Sequence, residues 1–238
     1  CITPRIQRLV EEMNPHFRKK SVVLFNGVEH ETFCPRENFE IPDIKQEPVT
    51  LICTGLVSYS KGTPTLYRVF TQLSTKYPNL KLRIVGGGPQ LEELRGASLR
   101  DHLENRVQFD GFVPPGQMPA IYRQAQIFLQ PTEGLEGFSY SILEALSTGL
   151  PVIASTACNV EGLFRANDCG LIFQAGNAEQ LAEKIEFLLA NPERGVVLGQ
   201  NARNLVLRRF TLEGMVKNVE GIYERLLTNQ RIGLRIKI

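Results

Sequence analysis

Glu136 and Glu144 are separated by seven intervening residues in the stretch PTEGLEGFSYSILEALSTGLPVIA, which runs from Pro131 to Ala154. The apolar residues Phe138, Ile142, Leu143, Ala145 and Leu146 fall at helical spacing, which predicts a helix from Phe138 to Leu146. An eight-residue step along a helix is about 2.2 turns and about 12 Å of rise. Glu136 then sits at the helix mouth and Glu144 two turns inside, on broadly the same side. Such carboxylates are too far apart to act as one acid/base pair on a single bond. They suit the two ends of an extended ligand, with hydroxyls as partners for acceptor-only groups. The N–H groups of Gly137, Phe138 and Ser139 lie between them at a helix N-terminus, where phosphate is electrostatically favoured. A polyhydroxylated group, then phosphates, then a second diol describes a nucleotide sugar. A solvated helix face would give the same spacing of two glutamates.

Two further loops carry residues of phosphate-binding type. Lys61 precedes Gly62 between a strand and a helix, where its ammonium can act as a point charge, although a solvated loop lysine fits the same position. Gly86-Gly87-Gly88-Pro89 lacks the G-x-G-x-x-G spacing and is either cleft lining or a flexible turn.

These loops need a scaffold, and the chain supplies a regular one. Predicted strands are Ser21 to Phe25, Val49 to Thr54, Leu80 to Val85, Arg106 to Phe109, Gln126 to Leu129, Pro151 to Ser155 and Gly170 to Phe173. Between them lie predicted helices at Thr65 to Lys76, Gln90 to Leu99 and Gln117 to Arg123, and three more follow at Ala178 to Leu189, Glu193 to Arg208 and Leu212 to Leu227. A further helix, capped by Thr3 with Pro4 in its first turn, opens the chain. Alternation at this spacing implies an α/β fold with a parallel, doubly wound sheet and helices on both faces. Ligands of such sheets bind beyond the carboxyl ends of the strands. Lys61, the glycine run, Val113-Pro114 and Glu136 each follow a predicted strand, so all four converge on that rim.

Composition narrows the class. The 238 residues include 42% hydrophobic and 22% charged residues, with a net charge of +2. Those values are ordinary for a globular chain and give no argument for nucleic acid. No apolar run reaches the roughly 18 residues that a membrane span requires. Five scattered cysteines form no C-x2-C pair and indicate neither a zinc site nor a disulfide framework, which points to a reducing cytoplasm. The chain enters helical pattern directly from Cys1, as an excised domain would.

EGFSYSILEALSTGLPVIAS resembles the E-x7-E signature of the large retaining glycosyltransferase family 4, and the likeness extends over roughly residues 20 to 227. FNGVEHETFCP resembles the family's linker between its acceptor and donor domains, with Glu29 where Asp is usual. FDGFVPPGQMPAIYRQA resembles the segment that meets the nucleotide base, and the closing helices resemble those of the family's C-terminal domain. The resemblance implies one Rossmann-like half of a GT-B fold. Residues 1-20 would belong to the preceding acceptor domain, 21-227 to the nucleotide-sugar domain and 228-238 to a tail, either frayed or a basic segment touching a membrane.

The same resemblance implies transfer of a sugar, with retention, from a UDP-, GDP- or ADP-sugar to an acceptor sugar or lipid-linked saccharide. No cofactor and no metal are implied. Glu136 would bind sugar hydroxyls and support charge at the anomeric carbon, and Lys61 would meet the diphosphate. Glu144 would hold both ribose hydroxyls. Gly137, Phe138, Ser139 and Tyr140 would offer main-chain contacts near the diphosphate, Val113 and Met118 would meet the base, and Gly87 and Gly88 would line the cleft. The family pairs its lysine with an arginine, and here that position is Leu56. That departure implies weaker donor binding, compensation from Ser58, Ser60 or Arg83, or a different leaving-group geometry. A bound sugar-nucleotide with no catalysis is the rival reading, because the N-terminal acceptor-binding domain lies outside this chain. A sugar-nucleotide epimerase is another. The implied setting is polysaccharide or glycoconjugate synthesis in the cytoplasm, at or near the inner membrane face.

Overall fold

A computed structural model describes residues 3–228. Six parallel strands form one sheet in the order β3-β2-β1-β4-β5-β6. They are β1 (Val49–Thr54), β2 (Leu80–Val85), β3 (Val107–Gly111), β4 (Ile127–Gln130), β5 (Val152–Ser155) and β6 (Leu171–Phe173). The order grows outward from β1 in one direction and from β4 in the other, so the chain reverses its direction of travel between those two strands. β1, β4 and β5 are almost continuous apolar runs because helices cover both faces of the sheet.

Nine helices flank the sheet among the described residues. α1 (Pro4–Met13) opens the chain, and α2 (Thr63–Lys76), α3 (Leu91–Arg100) and α4 (Met118–Arg123) follow β1, β2 and β3. α5 (Tyr140–Ser147), α6 (Glu161–Asn167) and α7 (Ala178–Ala190) follow β4, β5 and β6, and α8 (Pro192–Arg209) and α9 (Leu212–Leu227) close the fold. One core, built on Leu51, Leu66, Phe70, Leu82, Ile127 and Leu181, fills the side of α2 and α7. A second, built on Ile52, Tyr122, Phe128, Leu143, Phe164 and Leu205, fills the side of α5 and α8.

The predicted doubly wound sheet is therefore present, with two corrections. Ser21 to Phe25 is an apolar run of strand composition, yet it is irregular chain and no part of the six-stranded sheet. Its last residue instead packs edge-on against Phe138 and Phe210, at ring separations of 6.1 and 5.6 Å. The helix expected from Phe138 starts at Tyr140, since Phe138 is drawn into that aromatic trio. The tail at 229–238 lies outside the described residues.

The segment after Phe25 is fixed at both sides. Val28 N–H donates to the Phe210 carbonyl at 2.9 Å, and Leu212 N–H donates to the Val28 carbonyl at 3.0 Å. Gly27 is more than a turn residue, because a Cβ there would lie 2.6 Å from the Thr211 carbonyl oxygen. Arg203 then binds the carbonyls of His30, Phe33 and Ser147 at 2.8 to 3.0 Å, joining this segment to the last turn of α5.

Candidate functional site

The loops after β1 and β4 meet where the strand order reverses. After β1 the chain makes a single 3₁₀ turn, Tyr59–Lys61, capped by the Ser58 hydroxyl, and leaves it through Gly62 at φ 69°. A Cβ on Gly62 would lie 1.9 Å from the Pro131 carbonyl oxygen, so only glycine lets the loops approach this closely. The Ser60 carbonyl accepts N–H groups from Glu133 and Gly134 at 2.9 and 2.8 Å. Stapled in this way, the loops bring Lys61 Nζ into direct contact with Glu136 Oε2. Both side chains are half-buried or deeper, and the Thr132 hydroxyl lies 3.5 Å from the same Glu136 oxygen.

Glu136 is followed by three open donors. The N–H groups of Gly137, Phe138 and Ser139 donate to no acceptor among the described residues. Ser139 has the identity of a helix cap, yet its side chain makes no capping bond to α5. An uncapped helix N-terminus presents its first N–H groups and the positive end of its dipole to whatever enters. Tyr140 stands exposed beside it.

One turn further, Glu144 accepts a hydrogen bond from the Tyr122 hydroxyl at 2.8 Å. Tyr122 is fully buried, and its oxygen is also 2.9 Å from the Thr54 hydroxyl at the end of β1. Burial raises the Glu144 carboxyl above the usual carboxylate range, while the Tyr122 hydrogen bond opposes that rise. Burial, followed by the charge of Glu144, pushes the Tyr122 phenol well up, so it stays a donor.

Glu144 forms one wall of a cleft of about 300 Å³ lined also by Leu56, Gly87, Phe112, Val113 and Met118. The expected ribose and base residues thus share one cavity, with Gly87 open to it. Gly88 does not line it. A Cβ on Gly88 would lie 2.2 Å from the Val57 carbonyl oxygen, so this glycine serves loop-to-loop packing. Lys61 and Glu136 stand apart from the cavity as a pair, with the open N–H groups following Glu136 in the chain.

Leu56, where an arginine was expected by resemblance, projects into the cleft wall and is half exposed. Arg83 does not compensate. It sits in the middle of β2, bound to Asp110 at 2.5 Å and to Gln124 at 2.6 Å. Ser58 and Ser60 do stand beside Lys61, their hydroxyls 3.1 Å apart.

Nearby thiols have no nucleophilic character. Cys53 is buried and its thiol is pushed up to about 12, chiefly by that burial. Among the described residues no three His, Cys, Asp or Glu side chains cluster as metal ligands would.

Residues 36–205 match the model of the glycosyl transferases group 1. The chain belongs to that family. It is 30% identical over 170 residues to a GDP-mannose-dependent alpha-(1-6)-phosphatidylinositol monomannoside mannosyltransferase of Mycobacterium tuberculosis, covering 69% of this chain and 44% of that protein. It is 24% identical to the 2-deoxystreptamine N-acetyl-D-glucosaminyltransferase of Niallia circulans, over 91% of this chain and 55% of the relative. The chain therefore spans about half the length of such relatives. Among solved structures, Anabaena HepE in complex with UDP aligns with a TM-score of 0.74 at 21% identity, over 85% of this chain and 57% of HepE. The C-terminal domain of a group 1 glycosyl transferase from Francisella tularensis aligns with a TM-score of 0.68 at 23% identity, over 78% of this chain and all of that domain. This group 1 chain thus has the Rossmann-like fold of glycosyltransferase structures, as its strand–helix alternation predicts.

Sequence patterns left several site residues unmarked. Tyr122, Thr132 and Asn159 belong to no phosphate or acid/base motif: Tyr122 reaches Glu144 from α4, Thr132 meets Glu136 within the loop after β4, and Asn159 reaches that loop from the turn after β5. The signal for Tyr122 is its place in FDGFVPPGQMPAIYRQA, which the resemblance assigns to the base and not to Glu144. For Asn159 it is an asparagine directly before the Val160-Glu161-Gly162 run that starts α6.

Proposed function

We propose that this chain is the donor half of a retaining family 4 glycosyltransferase, which moves a sugar from a nucleoside-diphosphate sugar to an acceptor hydroxyl. One observation carries the reading: a carboxylate held for a diol, Glu144, and a run of open N–H groups after Glu136 flank the point where the strand order reverses. In this reading the base lies between Val113 and Met118, and Glu144 takes the ribose hydroxyls. The diphosphate meets Lys61 and the N–H groups of Gly137, Phe138 and Ser139.

Lys61 and Glu136 contact each other, and in this reading donor binding replaces their ion pair. Lys61 turns to the phosphate, and Glu136 turns to the sugar hydroxyls and the charge growing at the anomeric carbon. The bond from that carbon to the phosphate oxygen breaks, and a bond to the acceptor oxygen forms on the same face. The acceptor proton passes to the departing phosphate. No cofactor takes part, and fixed positive charge at the leaving group is the main catalytic device.

The acceptor, a sugar or a lipid-linked saccharide in glycoconjugate or polysaccharide synthesis, would be held by an N-terminal domain of the longer protein. That protein would be cytoplasmic and touch the inner membrane face. Among the described residues no helix is long and apolar enough to cross a membrane. The coverage of only about half of each relative favours a second reading, in which this chain alone binds the donor and does not turn it over.

Calorimetric titration with UDP, GDP and ADP, each with and without its sugar, tests the proposal. Selective binding of one nucleotide that is lost in Lys61→Ala is the expected result. Absence of binding to all of them, in this chain and in the longer protein alike, would overturn it.

A further inference from the structure

We infer that Asn159 is a positioning residue for the phosphate-facing N–H groups, and that it links them to α1; this rests on the donor-site reading above. Asn159 ends a single 3₁₀ turn, Thr156–Cys158, that follows β5, and adopts the left-handed conformation at φ 56° and ψ 31°. Glycine is the natural occupant of that conformation, and asparagine is among the few other residues that tolerate it. Here the side chain is used at both ends. Its Nδ2 donates to the Glu136 carbonyl at 2.8 Å, and its Oδ1 accepts from Arg5 of α1 at 2.7 Å.

The first of these bonds has a geometric consequence. The peptide joining Glu136 to Gly137 is planar and trans, so its C=O and N–H point in opposite directions. Fixing the oxygen on Asn159 therefore fixes the direction of the Gly137 N–H, the first of the three open donors. Lys61 and Thr132 hold only the Glu136 carboxylate and leave that peptide free to rotate. The base under Asn159 is firm: Cys158 is fully buried, and its thiol lies 3.7 Å from the Gln130 carbonyl and from the Ser155 hydroxyl.

The second bond brings in α1. No residue of α1 is fully buried. A cavity of about 240 Å³ separates it from the wall formed by Phe138, Val160 and Leu163. Arg5 reaches across beside that cavity to the same amide that holds the Glu136 peptide. A shift of α1 is thereby felt at the Gly137 N–H.

The test uses this chain and three probes: the preferred nucleoside diphosphate, its monophosphate and its nucleotide sugar, titrated calorimetrically. Asn159→Asp keeps the shape, the left-handed backbone and the oxygen toward Arg5, but places an acceptor against the Glu136 carbonyl. Asn159→Gly keeps the backbone and removes both bonds. Both variants are expected to bind the diphosphate and the nucleotide sugar roughly five- to tenfold more weakly, with monophosphate affinity unchanged. Arg5→Ala is expected to lose about two- to threefold on the diphosphate alone. Equal loss on monophosphate and diphosphate would reduce Asn159 to a structural part of the loop and overturn the inference, as would unchanged diphosphate binding in Asn159→Asp and Asn159→Gly. If the unaltered chain and the longer protein bind no nucleotide, the donor-site reading itself fails and takes this inference with it.

Discussion

Lys61 and Glu136, 75 positions apart in sequence, close an ion pair across the gap between β1 and β4. Each comes from a different loop, and the loops are stapled where Gly62 passes under the Pro131 carbonyl. The pair places one positive and one negative group at the mouth of the sheet before any ligand arrives. Removing either partner therefore has a distinct signature. Lys61→Ala is expected to weaken nucleoside diphosphate binding by roughly tenfold or more, through the lost phosphate contact. Glu136→Gln should leave diphosphate affinity within about twofold and abolish the extra affinity of the nucleotide sugar. Paired calorimetric titrations of the two ligands separate the outcomes.

Glu144 gives a pH signature. Its carboxyl is raised on folding by burial, so ionising it costs more in the folded chain than in the unfolded one. The neutral form is thus favoured by folding, and the protein loses stability as pH rises from the unfolded value of about 4.5 through the raised folded value. Glu144→Gln is expected to raise the melting temperature at about pH 7 and to have little effect at about pH 4, where both states are protonated. The same variant should bind nucleotide at least about tenfold more weakly at neutral pH, since hydroxyl donors lose their charged acceptor. Thermal melts at the two pH values, with titrations at neutral pH, check both halves.

Tyr122→Phe removes one oxygen from a fully buried side chain and leaves the ring in place. The expected cost in stability is about 1 kcal/mol, with the Thr54 hydroxyl left to pair elsewhere. The more telling effect is on sugar discrimination. Without its donor, Glu144 should distinguish ribose from 2′-deoxyribose less well, and the affinity ratio of the two diphosphates should fall severalfold. Titrating both nucleotides against both proteins measures that ratio.

Leu56→Arg places a guanidinium on the cleft wall, at a half-exposed position with room to reach a phosphate. Tightening of diphosphate binding by about three- to tenfold is expected, shrinking as salt is added. Unchanged affinity at low salt would mean that this wall faces the base and not the diphosphate.

Gly62→Ala strains the backbone at φ 69° and drives a methyl group into the Pro131 carbonyl. A loss of at least about 2 kcal/mol is expected, and urea unfolding would measure it. A smaller loss would mean that the two loops can separate without harm to the fold.

The sheet is legible in the sequence because β1, β4 and β5 are short apolar runs bounded by glycine, proline or polar loops, and the helices between them carry clear periodicity. The Ser21 to Phe25 run has the same composition and fails as a strand, because composition records burial and not membership of the sheet. α6 goes unrecognised, since seven residues without a side-chain cap give too little period to detect. In the site, Glu136 and Lys61 are visible as charges next to glycines, and Glu144 by its spacing from Glu136. The roles of Tyr122 and Asn159 are not visible, because their contacts to Glu144 and to the Glu136 carbonyl join elements 22 and 23 positions apart that only the fold brings together. Arg83 is the instructive misreading, a cation of suitable type whose strand position commits it to Asp110.

The pairing of β1 with β4 also sets the order in which the molecule can be made. Thr50 and Gln126 are bonded in the sheet although they lie 76 positions apart. β1, β2 and β3 are successive neighbours and can zip together as soon as they leave the ribosome. The cleft beside Glu144 cannot exist until β4 has inserted beside β1, a distant contact whose loop-closure entropy must be met before it is rewarded. Until then the apolar edge of β1 stands open, so slow synthesis or a pause before residue 130 would leave a half-built sheet with its stickiest strand uncovered.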